Sequence, residues 1–461
     1  MVSRRELLPF GLLVARCVQA AVRSRAAFLT YDQVASALTS CGLAAPSRSA
    51  WHQWIQSHDA AIRSRIRRGE EDSLVNLVLF GVSFTTQPRV TPEDTALESF
   101  RAAPSQSRFG TTTVLPNRDR LGAAMTYSII DARVRDFVRA LGNPGGNERL
   151  VWLRNMLQPR QRTESWVKGA ISRYLAEQGQ YRAVLNNAPA GDRVTSQLFK
   201  DRGLSVDTNF RPNWAIEQTL ADLKRRGALT NVRRAAIIGP GLDFTDKDYG
   251  FDYYPLQTLQ PFGLADSLIR LGLAHASDLR VGVFDISTQP LDHITRAIRS
   301  GRPYTIQLVL DELRAWNPDA MAYWRRFGDR IGTSVEPMSA PPQVRSVLPK
   351  AVEIRPDIVR LLEPAPLNIV TQRPDEQYDL VVATNILVYY DTFDQALASL
   401  NIQAMMSLGG IFLANSSLPQ CAGGNLHPIG NVDVRYSSAP GDDDRIEIYS
   451  NARFARALGP Q

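Results

Sequence analysis

The chain has 461 residues, which is more than one ordinary domain holds, so two or three domains are expected. Its hydrophobic content of 44% is typical of a soluble globular protein, and no run of 18 apolar residues predicts a transmembrane helix. The formal net charge of +7 only weakly indicates nucleic acid or an anionic membrane as a partner, because a solvated basic helix face explains it equally well. Three widely spaced cysteines argue against a zinc site and a disulfide framework.

Residues 1–20 loosely resemble a secretory signal, with two arginines followed by an apolar run. Glu6 and Arg16 bracket that run, and Arg16 falls close to the expected cleavage site. A cytoplasmic location is therefore expected, and export is the alternative.

Residues 1–117 predict a helical N-terminal region with an extended connector, and residues 118–230 predict a second helical region. Apolar residues recur at helical spacing in four segments, and a glycine ends or follows each of them. These segments are Tyr31–Leu38, Ser73–Gly81, Met125–Leu141 and Trp214–Arg226. No chemistry-bearing cluster stands out among them.

Residues 231–461 predict an α/β domain, because short apolar runs alternate there with helical segments. The predicted strands are Ala235–Gly239, Leu279–Ile286, Asn368–Thr371, Tyr378–Ala383 and Gly410–Ala414. Two alternating runs, Val432–Tyr436 and Arg445–Tyr449, predict an antiparallel hairpin at the end. The fold expected is a Rossmann-like doubly wound sheet of seven strands with a C-terminal antiparallel hairpin, preceded by mainly helical chain.

A glycine turn follows the first of these strands. Gly239-Pro240-Gly241 allows the backbone to turn sharply and to approach a ligand closely. A dinucleotide fingerprint would need a third glycine opening into a helix, whereas Phe244 stands at that position. By itself the turn is equally compatible with an ordinary tight turn.

An acid ends the next strand. Asp285 follows one strand, one glycine turn and one helix, a spacing at which a carboxylate accepts both hydroxyls of a ribose. Asp285 is also a candidate helix N-cap. The spacing favours a ligand that contains a nucleoside.

A third motif lies at the tip of the strand Tyr378–Ala383. Asn385 and Tyr389 follow this strand, and in a doubly wound sheet they would face the same crevice as the glycine turn. Tyr389 and Tyr390 are also candidates for packing against the following helix.

These motifs together resemble the chemotaxis-receptor-type methyltransferases, over roughly residues 233–450. The matching segments occur in the family's order: Leu259–Ala265, Asp285-Ile286, Ala297–Tyr304, Leu367–Ile369, Asn385–Asp391 and Leu408–Phe412. The resemblance implies S-adenosylmethionine (SAM) as cofactor and methyl transfer as the reaction. It places the following residues at the cofactor: Gly239, Pro240, Gly241, Asp243, Asp285, Ile286, Asn368, Ile369, Asn385 and Leu387.

The sequence also departs from that family on the acceptor side. Gln260 stands where the family has Glu, and Thr384 stands where it has Arg. An insertion, Leu242–Leu259, follows the glycine turn, and Ala414–Ser417 lacks the family's S-E pair. Methylation of a glutamate carboxyl is therefore not implied.

The inserted loop is rich in aromatic and acidic residues and is interpreted either as a lid over the crevice or as a self-packed surface loop. If the acceptor is an amine or a hydroxyl, a general base is needed. Asp252, Asp243 and Tyr389 are the candidates for that base, and Tyr389 and Asp252 are the catalytic candidates retained. No metal site is predicted.

Several functions stay open at this point. The favoured one is a SAM-dependent methyltransferase acting on a small-molecule or protein acceptor. The alternatives are a catalytically inactive SAM-binding protein, a nucleic-acid methyltransferase and an NAD-dependent oxidoreductase. A nucleic-acid partner is disfavoured because the strand tip reads Thr384-Asn385-Ile386-Leu387 in place of N-P-P-Y. The oligomeric state is not predicted.

Overall fold

The structure is a computed structural model of the chain. It describes residues 26–90, 117–158, 163–187, 208, 210–246, 250–418, 426–439 and 442–451. The N-terminal signal-like segment and most of the predicted connector lie outside these residues.

Helices dominate the first half of the described chain, and strands dominate the second half. The helices are α1 (Tyr31–Ser40), α2 (Arg48–Ser64), α3 (Ile66–Phe80), α4 (Asn117–Gly142), α5 (Glu148–Leu157), α6 (Thr163–Asn187), α7 (Arg211–Arg225), α8 (Gln260–Arg270), α9 (Thr288–Ser300), α10 (Pro318–Arg326), α11 (Pro356–Val359) and α12 (Thr392–Met405). The strands are β1 (Ala26–Phe28), β2 (Arg234–Ile238), β3 (Arg280–Asp285), β4 (Tyr304–Asp311), β5 (Gly332–Val335), β6 (Val347–Ile354), β7 (Leu362–Pro366), β8 (Gln372–Pro374), β9 (Tyr378–Ala383), β10 (Met406–Ala414), β11 (Leu426–Arg435) and β12 (Asp443–Asn451).

A seven-stranded, mostly parallel sheet forms the centre of the molecule, in the order β11-β12-β10-β9-β2-β3-β7. The five strands from β10 to β7 run parallel, and β12 pairs antiparallel with β10 and with β11. Central β2 pairs through Ile237 with Val283 on one side and Val382 on the other. A mixed α/β fold with a large, mostly parallel sheet is thereby confirmed.

One predicted strand is wrong. Residues 368–371 form a turn, in which the backbone N–H groups of Thr371 and Gln372 donate to the carbonyl of Asn368 at 3.0 and 2.8 Å. The strand lies just before this turn, as β7, where Pro364 and Pro366 weaken the strand pattern. Proline lacks an N–H donor, and β7 accommodates it because, among the described strands, β7 lies at the edge of the sheet and pairs with β3 alone.

A second, smaller sheet is inserted between β3 and β7. Its strands β4, β6 and β5 are all antiparallel, in the order β4-β6-β5. The sequence pattern does not predict this sheet.

The N-terminal helices pack on the large sheet. Trp51, Ile55 and Ile62 of α2 share one buried cluster with Phe284 of β3 and Val381 of β9. Short β1 also pairs antiparallel with β8. Residues 26–64 therefore cover one face of the sheet, although the predicted domain boundaries at 117 and 230 separate them from it.

The opposite face is covered partly by α7. Its Trp214 and Leu220 lie in a cluster with Ile237 and Val283 of the sheet. The sequence pattern places this helix in the second helical region. An amphipathic pattern predicts that one face of a helix is buried, but it does not identify the element that covers this face.

A third hydrophobic cluster lies apart from the sheet. It contains residues of the four helices α3, α4, α5 and α6 and of the loop after β2. Leu74 and Phe137 belong to it, together with Leu242 and Phe244 of the loop.

Within the described parts of the chain, no helix is long and apolar enough to span a membrane. Cys41 is disulfide-bonded, contrary to the expectation from cysteine spacing.

Candidate functional site

A cleft opens at the carboxyl ends of β2, β3, β7 and β9, where ligands of open α/β sheets bind. It encloses about 800 Å³, a volume that includes its solvent-open mouth. The lining residues are Ile66, Thr208, Ile238, Gly239, Gly241, Gln260, Asp285, Ile286, Ser287, Leu367, Ile369, Thr384, Asn385, Ile386, Tyr389 and Tyr390. The structure thus brings together seven of the predicted site residues: Gly239, Gly241, Asp285, Ile286, Ile369, Asn385 and Tyr389.

The glycine turn after β2 forms the floor of this cleft. Gly239 and Gly241 have φ values of +70° and +64°, in the left-handed region that favours glycine. A Cβ on Gly239 would lie 2.1 Å from Cδ1 of Ile386. The backbone N–H of Gly239 donates to the carbonyl of Phe284 at 2.7 Å, which ties the turn to β3. Glycine is therefore required here both by conformation and by space.

Asp285 ends β3 as a buried carboxylate. The N–H of Ser287 donates to its Oδ1 at 2.8 Å. Burial raises the pKa of Asp285 to about 7, although backbone N–H groups of Ser287, Ile286 and Gly241 act to lower it. Because these bonds come from neutral amides, the carboxylate remains available to accept hydrogen bonds from a ligand's hydroxyl groups.

The tip of β9 presents amide and hydroxyl side chains. Asn385 has φ +58°, a conformation that Asn adopts more readily than most residues. Its N–H donates to Oδ1 of Asn415 at 2.7 Å, and the Nδ2 of Asn415 donates back to Oδ1 of Asn385. Next to it, Nε2 of Gln260 donates to Oγ1 of Thr384 at 2.7 Å. The two positions that depart from the resembled family thus form a neutral hydrogen-bonded pair.

Tyr389 and Tyr390 close the cleft on the side of β9. Tyr389 ends a short 3₁₀ helix, Leu387–Tyr389. Tyr390 is buried, and this burial raises its pKa well above the ordinary value for tyrosine. Its side chain therefore stays neutral and supplies an apolar surface to the cleft.

Three predicted cofactor residues lie behind the lining. The side chain of Asn368 is buried and donates to Oδ1 of Asp59 at 2.9 Å. Leu387 belongs to the core under the helices, and Pro240 is buried. These residues shape the walls of the cleft without lining it.

Asp243 and Asp252, the two acids of the inserted loop that were predicted as site residues, also lie outside the cleft lining. Asp243 accepts hydrogen bonds from the hydroxyl of Tyr254 at 2.9 Å and from Nε2 of Gln257 at 2.8 Å. Burial raises its pKa to about 6, against the opposing charge of Arg149. Asp252 accepts bonds from the N–H of Val82 at 2.7 Å and from Ser83. These hydrogen bonds are all made to other groups of the protein.

The inserted loop is held by a fully buried arginine. Arg149 of α5 donates to the carbonyls of Asp243 at 2.8 Å, Phe244 at 2.5 Å and Tyr254. Phe244 is itself fully buried in the cluster with α3 and α4. Of the two interpretations of this loop, the packed loop fits these contacts better than a freely moving lid.

Sequence reasoning missed several lining residues. Ser287 could have been predicted from the sequence, because this residue stands two positions after Asp285. In the structure Ser287 caps α9. Ile66 and Thr208 carried no signal, since they come from chain segments far from the sheet in sequence and only the packing of α2 and α3 places Ile66 there. Gln260 and Thr384 were noticed only as departures from the family. Among the described residues no cluster suited to a metal ion occurs.

No family model and no curated protein matches the chain. The solved structures that it resembles include the N-methyltransferase NodS from Bradyrhizobium japonicum WM9, at 13% identity over 53% of this chain and 99% of that one, with a TM-score of 0.26. Magnesium protoporphyrin IX methyltransferase ChlM from Synechocystis PCC 6803, solved with bound SAM, has 11% identity, coverage of 57% and 99%, and a TM-score of 0.25.

A third structure, the CurJ carbon methyltransferase, has 11% identity, coverage of 92% and 98%, and a TM-score of 0.27. All three are methyltransferases by name, and none of the three is a chemotaxis-receptor methyltransferase. Identities and TM-scores of this size do not identify a ligand or an acceptor. The geometry of the cleft is therefore what indicates a ligand.

Proposed function

We propose that the chain is a SAM-dependent methyltransferase that acts on a small-molecule or protein acceptor. The observation that carries the proposal is the cleft at the carboxyl ends of β2, β3 and β9. There a two-glycine turn, a buried strand-end carboxylate and a polar strand tip face one space. The resemblance of these segments to the chemotaxis-receptor-type methyltransferases supports the same ligand.

The residues present fit such a cofactor. Asp285 would accept the ribose hydroxyls, because among the described residues its carboxylate receives hydrogen bonds from backbone amides and from no charged group. Apolar side chains from Ile286, Leu367 and Ile369 would pack against the adenine. Gly239 and Gly241 turn the backbone sharply through their positive φ values, and this turn would lie beside the methionine part.

SAM when bound supplies a methyl group already activated by its sulfonium. What remains for the protein is to hold donor and acceptor in line and to exclude water. Tyr389 and Asn385 lie at the β9 side of the cleft and are the proposed contacts at the transfer end. The base role considered for Asp252 has no support from its position.

Calorimetric titration with SAM, S-adenosylhomocysteine and NAD tests the cofactor. We expect SAM and S-adenosylhomocysteine to bind with one-to-one stoichiometry and NAD not to bind. Binding of NAD without SAM would overturn the proposal in favour of an oxidoreductase.

A second candidate is a protein that binds SAM without transferring its methyl group. The neutral pair of Gln260 and Thr384 favours it, because the resembled family has charged residues at both positions. Incubation with methyl-labelled SAM and cell extract, fractionated into small molecules, proteins and nucleic acids, separates the two. Tight binding with no labelled product in any fraction would support the inactive protein.

A further inference from the structure

The junction between α2 and α3 lies against the mouth of the cleft. Ile66, the first residue of α3, lines the cleft, although it is far from the glycine turn in sequence. Two arginines precede it, Arg63 near the end of α2 and Arg65 at the junction. Both donate hydrogen bonds to backbone carbonyls of loops that carry cleft residues.

Arg63 holds the loop after β3. Its Nη1 donates to the carbonyl of Ile286 at 3.3 Å, next to the carboxylate of Asp285. Its Nη2 donates to Oε1 of Gln372 at 3.0 Å, and its Nε donates to Oδ2 of Asp59 at 2.8 Å. The guanidinium is thereby fixed in place by three partners.

Arg65 holds the loop after β9. Its Nη2 donates to the carbonyl of Tyr389 at 2.6 Å. Its guanidinium carbon lies 5.7 Å from the ring centre of Tyr390, which is a cation–π distance. The arginine therefore contacts both tyrosines that line this side of the cleft.

Asp59 completes the junction on the loop after β7. Its Oδ1 accepts bonds from Nδ2 of Asn368 at 2.9 Å and from Oγ1 of Thr371 at 2.7 Å. Leu367 and Ile369, on either side of Asn368, line the cleft. One turn of α2 and the junction after it thus touch the loops that follow β3, β7 and β9.

We propose that Arg63 and Arg65 are positioning residues for the cofactor, each holding one half of the cleft. Arg63 fixes the nucleoside half through Ile286, and Arg65 fixes the methionine half through Tyr389 and Tyr390. The N-terminal helices then contribute to cofactor binding, because they hold the loops that line the cleft. This inference depends on the proposed function, since it concerns the same cleft.

The test compares two ligands in calorimetric titrations of the full chain. SAM fills both halves of the cleft, whereas 5′-methylthioadenosine lacks the amino-acid part and reports on the nucleoside half. We expect Arg63→Met to weaken both ligands by a similar factor, about tenfold, because a charge-assisted bond is lost beside Asp285. We expect Arg65→Met to weaken SAM about tenfold and 5′-methylthioadenosine less than about twofold.

Arg68→Met is the matched control, because Arg68 lies three residues further along and pairs with Glu177 on the surface, 3.0 Å away. It should bind both ligands like the wild type. Arg65→Lys keeps the charge and one donor, and it should restore part of the SAM affinity. If circular dichroism shows that Arg65→Met does not fold, Arg65→Lys takes its place in the comparison of the two ligands.

Unchanged affinity for SAM in both methionine variants would overturn the inference. So would an equal loss of both ligands in Arg65→Met without any rescue by Arg65→Lys, since that pattern marks a general loss of structure. A wild-type chain that binds neither SAM nor S-adenosylhomocysteine would instead refute the proposed function, and this inference with it.

Discussion

At the scale of single residues, the ionisation of Asp285 makes the charge of the cleft depend on pH. Its pKa is raised to about 7 by burial, so the carboxyl changes its charge within the physiological range. The ionised form is the better acceptor for two ribose hydroxyls, and cofactor affinity should therefore depend on pH.

We predict that the dissociation constant for SAM rises as the pH is lowered from about 8 to about 6 across the pKa of Asp285. Asp285→Asn should bind SAM roughly ten- to a hundredfold more weakly at pH 8 and show a flat pH profile. Calorimetric titration across this range is the measurement. The control is Asp292→Asn, an exposed position on α9. An Asp285→Asn variant that binds within about twofold of the wild type would exclude the ribose role.

The effect of Asp285 on stability has the opposite sign. Its folded pKa of about 7 lies above the ordinary aspartate value of 3.8, so burying the ionised carboxylate costs stability as the pH rises between these values. Asp285→Asn removes that cost and should not lower the melting temperature at pH 8. A binding loss in a variant of undiminished stability then cannot be ascribed to unfolding.

Gly239 allows a second residue-scale prediction. Gly239→Ala combines a positive φ with a Cβ placed 2.1 Å from Ile386, and it should abolish measurable SAM binding. Gly301→Ala is the matched control, because Gly301 has a similar φ of +61° with open space around it. It should cost about 1 kcal/mol of stability and leave binding unchanged. Equal SAM affinity in both variants would mean that the close approach at Gly239 is unimportant.

At the scale of elements, buried arginines join helices to loops. Arg149 and Arg133 are among the largest fully buried side chains, and each donates to several backbone carbonyls. Arg133 contacts the chain around Val78 and Pro88, while Arg149 contacts the loop after β2. Burial lowers the pKa of Arg133 to about 10, so the charge persists at neutral pH.

Replacing Arg149 should release the inserted loop. Arg149→Met leaves three buried carbonyls without their donor and Asp243 without its nearest positive charge. We expect a loss of about 3–5 kcal/mol in the free energy of unfolding, measured by urea denaturation. Arg173→Met, which breaks an exposed pair with Glu71, should cost less than about 1 kcal/mol. A similar small cost for both would show that Arg149 does not anchor the loop.

At the scale of the whole molecule, the sheet has helices from the N-terminal half on both faces. Trp51 and Ile62 cover one face, and Trp214 and Leu220 cover the other. Both faces of the sheet therefore depend on helices of the N-terminal half for part of their burial.

A truncated chain of residues 231–461, cut at the predicted domain boundary, should fail to fold cooperatively. It loses α2 and α7 and exposes apolar residues on both faces of the sheet. Near-ultraviolet circular dichroism and urea unfolding are the measurements, with the full chain as the control. A cooperative transition in the truncated chain, together with SAM binding, would restore the boundary at residue 230.

Local patterns in the sequence determined the parts of the site that depend on consecutive residues. The glycine turn at Gly239, the acid at Asp285 and the strand ending before Asn385 could be predicted, because buried parallel strands are continuous apolar runs and their tips follow directly. The strand β7 was misplaced because two prolines interrupt its pattern. The inserted sheet of β4, β5 and β6 was missed.

Only the tertiary structure decided which side chains meet. Asp243, Asn368 and Leu387 stand beside lining residues in sequence, yet packing turns them towards Gln257, Asp59 and the core. Ile66 reaches the cleft, and the arginines of the α2–α3 junction reach the loops around it, from more than 150 residues away along the chain. Sequence spacing fixes contacts along one element, whereas contacts between elements follow from which apolar faces are buried together.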